Sequence, residues 1–348
     1  MDNKITYREQ NDINNTLKLR EVLKTLPPFC RDYFRAIDAT TTTKTRISYA
    51  YDIRIFFQFL LDQNPMFKDK SMTDFTVDVL DQIKAVDLEE YEEYLKVYKS
   101  ADSSKTETNG ERGVKRKISA LRSFYAYYYK HEMITTNPSV LIDVPKIHDK
   151  NIIRLDTDEV VMLLDYIEHC GDTLTGQKRM YHEKTKDRDL AIVTLLLGTG
   201  IRVSECVGLN LNDVDFKNGG IRIVRKGGYE AVVYFGEEVE DALLDYWDER
   251  THKTAATGHE DALFLSMQNK RISVRAVEKL VKKYASKVTS LKKITPHKLR
   301  STYGTNLYRE TGDIYLVADV LGHKDVNTTK KHYAAIDDDR RRKAAGIV

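Results

Sequence analysis

Apolar positions in the first third of the chain recur at helical spacing. Over residues 17–37, Leu19, Val22, Leu23, Leu26, Phe29 and Phe34 predict short helices, broken where Pro27 and Pro28 remove backbone donors. The threonine run 40–43 offers several N-caps, and a helix follows to about residue 61. In it, Tyr49, Ile53, Phe56, Phe57 and Leu60 approximate one face. Further helices are predicted over residues 77–83, 87–99 and 113–130. No strand pattern emerges, so this half reads as an all-helical bundle behind a polar, frayed segment at residues 1–15.

The text then changes. Residues 135–151 carry Pro138, Pro145 and polar residues without periodicity, which read as an extended linker. Asp156 and Glu159 form a capping-box pattern ahead of Val160, Leu163, Leu164 and Ile167. Residues 171–186 read as a polar loop, with Gly171 capping the helix before it. Residues 190–197 form an almost wholly apolar helix, closed by Gly198. Thr199 and Gly200 let the backbone turn before Arg202 starts a new helix. Residues 221–224 and 231–235 read as two strands around the turn Lys226-Gly227-Gly228, and 262–266 as a short extended segment. A helix is predicted to begin near Ser273. Thr295 and Pro296 fit the N-cap and first position of another. A last helix over 313–321 ends at Gly322, a left-handed cap that turns His323 out. Tyr333 follows, on a segment that Thr328 or Thr329 would cap.

The fold class expected is therefore mainly α with a small β-sheet. The boundaries are a flexible N-terminus (1–16), a helical domain (17–134), a linker (135–151), a mixed α/β domain (152–336) and a charged, then apolar tail (337–348). A length of 348 residues makes two domains the prior. The hydrophobic share of 41% supports a real core, and the charged share of 31% a well-solvated surface. A net charge of only +3 does not by itself predict a nucleic-acid partner; clustering of the bases must do so. Cys30, Cys170 and Cys206 are too dispersed for a disulfide framework or a metal site, and no metal or other cofactor is expected. No apolar run is long enough to span a bilayer, so the expected setting is cytoplasmic, with no membrane partner.

Two clusters of bases stand out. Lys44, Arg46 and Arg54 flank one predicted helix, and Lys115, Arg116, Lys117 and Arg122 another, with Tyr49, Tyr51 and the aromatics 124–129 interleaved. A second basic surface is expected around Arg271 and Arg275. Such edges suit a phosphate backbone; the plainer reading has the aromatics in the core and the bases merely solvated. The chemistry-bearing residues gather late in the chain. His297 and Arg300 sit three residues apart on one helical face, with His323 and Tyr333 shortly after. Two imidazoles, a guanidinium and a phenol suit chemistry on a phosphate, since arginine forks phosphate oxygens and tyrosine can attack covalently.

These motifs resemble the catalytic core of the tyrosine recombinase (phage integrase) family, Xer/integrase-like site-specific recombinases. Thr295-Pro296-His297-Lys298-Leu299-Arg300 matches its His-x-x-Arg motif, Leu321-Gly322-His323 its Leu-Gly-His motif, and Tyr333 its nucleophile. Thr199-Gly200-Ile201-Arg202-Val203-Ser204-Glu205 resembles its first arginine box, and Arg225-Lys226-Gly227-Gly228 its lysine-bearing hairpin. The resemblance implies that Tyr333 is the nucleophile, forming a 3′-phosphotyrosine. It implies that Arg202 and Arg300 clamp the phosphate, Lys226 protonates the leaving 5′-oxygen, His297 assists at the nucleophile and His323 bonds the phosphate, with Glu205 in support. The helical half becomes a core-binding domain that clamps DNA. The partners implied are double-stranded DNA bearing specific sites and a homo-tetramer, with accessory DNA-bending factors or a partner recombinase compatible. The apolar tail would dock on a neighbouring subunit.

Two other functions use parts of the same pattern. A type IB topoisomerase shares a similar site but relaxes DNA as a monomer. A non-cleaving DNA-binding protein has no need of Tyr333, Arg202 and Arg300 together.

Overall fold

A computed structural model describes residues 6–99, 105–147, 152–225, 227–323 and 326. The chain divides into two compact units, Met1–Asp149 and Lys150–Val348.

In the first unit the helices are α1 (Tyr7–Lys24), α2 (Cys30–Ala36), α3 (Thr43–Gln63), α4 (Val79–Gln82), α5 (Ala85–Lys96) and α6 (Glu111–Lys130), with strands β1 (Val97–Lys99) and β2 (Thr106–Thr108) between α5 and α6. The core is aromatic. Phe57 and Phe124 pack edge-on at 6.3 Å between ring centres, Phe124 and Tyr128 at 5.0 Å, and Phe56 and Tyr91 at 5.2 Å. Helix α3 packs against α1 and α6.

Two expectations fail here. The N-terminal segment is helical from Tyr7, because Thr6 and Glu9 close a capping box and Leu19 and Val22 are buried against the bundle. The unit is also not all-helical, since β1 and β2 pair antiparallel, Tyr98 opposite Glu107. Nearly every residue of that hairpin is exposed, so it carries no alternation by which a strand could be read.

The second unit contains α7 (Thr157–His169), α8 (Gly176–Glu183), α9 (Lys186–Thr199), α10 (Val203–Gly208), strands β3 (Val214–Asp215), β4 (Gly220–Val224) and β5 (Glu230–Tyr234), then α11 (Glu237–His252), α12 (Val274–Val288), α13 (Pro296–Thr311) and α14 (Ile314–Leu321). The strands form one antiparallel sheet in sequence order, with Arg222 opposite Val232. Helix α9 is the centre of the unit, packed against α7, α11, α12 and α13. Its Ala191, Ile192, Val193, Leu195 and Leu196 are all buried, which is why its apolar residues show no single stripe.

The stretch read as a polar loop before α9 contains α8, anchored by His182, which is buried although its neighbours are exposed. Helix α9 also does not stop at Gly198. It runs to Thr199 and is capped by Gly200, left-handed at φ 62°. Gly198 lies instead against Val239 of α11, where a Cβ would collide. The Asp156–Glu159 capping box forms as expected, with Lys292 reaching both carboxylates at 2.9 and 2.5 Å. The segment 262–266 contributes isolated bridges from Ala262 to Asn210 and from Leu265 to Arg271. Among the described residues no helix is long and apolar enough to cross a membrane.

Candidate active site

The last turn of α14 organises the site. Gly322 is left-handed at φ 61°, and the amides of Gly322 and His323 return to the carbonyls of Asp319 and Ala318 at 2.8 and 2.9 Å. This is a Schellman ending, and it holds the His323 backbone at the helix end. Helix C-termini leave carbonyls without intrahelical partners and carry partial negative charge, so they attract cations. Three guanidinium groups meet this one. Arg202 Nη2 donates to Gly322 O at 3.3 Å, Arg300 Nη2 donates to Leu321 O, and Arg225 donates to Val320 O at 2.8 Å and Asp319 O at 3.0 Å.

Each arginine is held differently. Arg202 is the N-cap residue of α10, and its backbone N–H donates to Glu205 Oε2 at 2.7 Å while its Nη1 donates to Glu205 Oε1 at 2.8 Å. Glu205 is buried, whereas the Arg202 side chain keeps 34% of its surface exposed. Glu205 therefore braces Arg202 as a buried carboxylate. Arg300 is buried in α13, and its Nη1 donates to Gly200 O at 2.6 Å. One guanidinium therefore joins the cap of α9 to the end of α14. Gly200 has no room for a side chain, because Tyr303 and Leu321 fill the space a Cβ would need.

His297 occupies the first turn of α13 and is exposed, one turn from Arg300. Lys226 and Tyr333 lie outside the described residues, as do Thr328, Thr329 and the tail 337–348. Of the tyrosines near the motif in sequence, Tyr308 packs with Val317 and Leu321, and burial raises the pKa of Tyr303. Tyr315 is exposed on α14. Among the described residues no group of acidic, histidine and cysteine side chains could hold a metal ion.

The nine bases expected at a DNA surface separate into two groups. Lys117 is buried and donates to Asn109 Oδ1 at 2.8 Å, which removes it from any basic edge. Three residues of a helix span most of a turn, so Lys115, Arg116 and Lys117 cannot share a face. Arg116 forks the buried carboxylate of Asp52. Burial still pushes that carboxyl above its ordinary range, outweighing the guanidinium beside it. Arg122 donates to the carbonyls of Ser139 and Ile142, securing the chain after α6. Arg46 pairs with Asp38, and only 13% of its side chain is exposed. Arg271 donates to the carbonyls of Val207 and Leu209, at 3.0 and 2.7 Å, and to Asn210. These contacts brace the fold. Lys44 and Arg275 are exposed, Lys115 is half-buried, and the half-buried Arg54 lies over the Tyr51 ring at 5.1 Å.

Two features went unread in the sequence. Arg225 is quoted in the hairpin motif but given no task there, because its partners are carbonyls almost a hundred residues away. A buried cluster joins Asp189, in the first turn of α9, to Cys170, His182 and Tyr284, with Tyr284 donating to Asp189 at 3.0 Å and lying 3.5 Å from His182. The one available signal was Arg188-Asp189, a charged pair leading into an apolar helix.

Three arginines thus meet at one helix end beside the His323 backbone, Arg202 from the start of α10, Arg300 from α13 and Arg225 from the β4–β5 turn. The model of the phage integrase family matches residues 154–340, more than half of the chain. Tyrosine recombinase XerC from Caldanaerobacter subterraneus subsp. tengcongensis is 33% identical over 338 residues, covering 94% of this chain and 88% of its own. Tyrosine recombinase XerS from Lactococcus lactis subsp. cremoris is 29% identical, covering 94% and 97%. The fold matches the XerH site-specific recombinase in a post-cleavage complex with a palindromic difH substrate, at a TM-score of 0.66, 21% identity and coverage of 100% and 91%. A lambda integrase dimer bound to a core site matches at 0.60 and 17% identity, covering 87% and 93%. The chain belongs to the phage integrase family and is a tyrosine recombinase.

Proposed function

We propose that this protein recognises specific sites in double-stranded DNA, cuts one strand through Tyr333, and rejoins it to a strand from a second site. The observation that carries this reading is the meeting of Arg202 and Arg300 at consecutive carbonyls of the α14 end, next to His323. Cleavage by a protein nucleophile needs neutralisation of the non-bridging oxygens, a proton for the leaving oxygen and removal of one from the nucleophile. Arg202 and Arg300 answer the first need, and their interaction strengthens as charge accumulates in the transition state. Lys226 answers the second, and His297 serves the third. His323 bonds the phosphate, and Glu205 holds Arg202 in place. A phenol with a pKa of about 10 gains its nucleophilicity from these surrounding cations.

The tyrosine ester conserves the energy of the broken phosphodiester, so attack by a 5′-hydroxyl from another duplex restores a DNA bond without a nucleotide cofactor. Such exchange calls for a homo-tetramer across two sites. The helical unit, residues 17–134, serves as the core-binding domain, the unit from 152 to 336 as the catalytic domain, and the tail 337–348 as a subunit-docking element. Lys44, Lys115, Arg54 and Arg275 are the bases proposed to meet the DNA backbone. A cytoplasmic setting with access to DNA follows from this reading.

The test is a duplex nicked near the cleavage point, incubated with wild type or Tyr333→Phe in the presence of a chelator. A DNA adduct that survives denaturation with wild type and is absent with the mutant is the expected result. An adduct retained by Tyr333→Phe moves the nucleophile to another tyrosine. Binding without any adduct from wild type, across several sites, overturns the cleavage reading.

A further inference from the structure

The first two guanidinium groups at the α14 end have tasks in the reaction. The third, Arg225, has none yet, and it is the one that comes from the hairpin. Its backbone closes the β4–β5 turn: its N–H donates to Tyr229 O at 2.8 Å, and its carbonyl accepts from Gly228 N at 3.0 Å. Its side chain reaches across to α14 and forks two successive carbonyls, Nη1 to Asp319 at 3.0 Å and Nη2 to Val320 at 2.8 Å. Its Nε is buried with no hydrogen-bond partner among the described residues, an unfavourable burial that the two carbonyl bonds and the negative helix end offset. Gly322 makes the contact possible, since a Cβ there would collide with the Arg225 guanidinium. The glycine of the Leu-Gly-His motif thus serves two purposes, a left-handed cap and a seat for this arginine.

We propose that Arg225 is a positioning residue for strand cleavage, bolting the root of the β4–β5 turn to the C-terminal end of α14. The inference rests on the recombinase reading above. Lys226, the candidate acid for the leaving oxygen, is the next residue of the chain, and His323 follows the helix cap on which Arg225 is seated. A fork onto two carbonyls sets the direction as well as the distance between these segments. Lysine, a single point of donation on a flexible stem, does not reproduce it.

The test separates placement of the acid from general damage. Two nicked duplexes are prepared that differ only in the bridging 5′-atom at the scissile phosphate, oxygen in one and sulfur in the other. With oxygen, the tyrosine oxygen bonds to phosphorus, the P–O5′ bond breaks, and the departing oxygen takes a proton from the acid. With sulfur, the P–S bond breaks and the thiolate leaves without that proton, because a thiol has a pKa of about 8.5. Single-turnover cleavage is measured for wild type, Arg225→Met and Arg225→Lys, together with DNA affinity by band shift and the melting temperature of each protein.

Both variants are expected to bind the duplex within about threefold of wild type and to cleave the oxygen substrate about 10²-fold more slowly. On the sulfur substrate both should recover to within about tenfold of wild type. Equal slowing on both substrates, or none on either, overturns the proposal. So does loss of folding in both variants, which would make Arg225 purely structural. Absence of an adduct from wild type on either substrate instead sinks the recombinase reading itself.

Discussion

Glu205 shows how a single side chain organises this site. Its carboxylate is nearly inaccessible, yet it receives both the backbone N–H and the Nη1 of Arg202. It thus caps α10 and aims the guanidinium in one gesture. Removing it leaves a capping position unfilled and an arginine unbraced. Glu205→Ala is expected to lower stability by about 1.5–3 kcal/mol, the usual range for hydrogen bonds to a charged group. It should also slow cleavage more than it weakens DNA binding. Urea denaturation and single-turnover cleavage check the two parts, and a variant with unchanged cleavage would remove Glu205 from the support of Arg202.

At the scale of elements, helix α6 carries two kinds of base that look alike in sequence. Arg116, although exposed itself, forks buried Asp52 of α3, whereas half-buried Lys115 lies one position before it on the helix. Arg116→Ala strands the Asp52 carboxyl in the core and should lower stability by about 1–3 kcal/mol. Lys44→Ala and Arg275→Ala should instead leave the urea midpoint alone and reduce the salt slope of DNA binding by about one each. Finding the losses exchanged between the two groups would reverse this division.

Helix α8 supplies a pH dependence. Its His182 is buried beside Cys170 and Tyr284, and burial, followed by the charge of Lys283, lowers its pKa below the ordinary value despite Asp189 nearby; Lys186 adds to the lowering. The folded state therefore keeps a neutral imidazole, while the unfolded chain takes up a proton near pH 6.5, at about the ordinary histidine pKa. Stability from this group is full above that pH and declines as pH falls through the lowered folded value. As pH falls below about 6.5, the urea midpoint of wild type should drop more steeply than that of His182→Gln. Parallel profiles would show that His182 is not the group responsible.

Across the whole molecule, the division at Asp149 and Lys150 gives each unit its own interior, the first an aromatic bundle and the second a set of helices around α9. Units with separate cores can unfold separately. Calorimetry without DNA is expected to resolve two transitions, one of them reproduced by residues 1–149 alone. A single transition for the full chain, with an unfolded fragment, would show that neither unit is independent.

Much of this was written in local patterns. The Asp156–Glu159 box, the start of α13 at Pro296, the left-handed end at Gly322 and the β4–β5 hairpin depend on residues within a few positions of each other, so periodicity and capping chemistry reveal them. The motifs around Arg202, Arg300 and His323 belong to the same class, because each is a short string whose residue types carry the chemistry. What local pattern could not convey was partnership across the fold. Nothing in the order of residues says that Arg300 would reach Gly200 and Leu321, that Arg116 would turn to Asp52, or that Arg225 would seat on Gly322. Whether a base faces solvent or a carbonyl depends on which elements pack beside it. The sequence by itself therefore determined the elements and the reactive residue types. Tertiary packing alone decided which three arginines converge on one helix end, because those contacts join positions 21 to 120 residues apart.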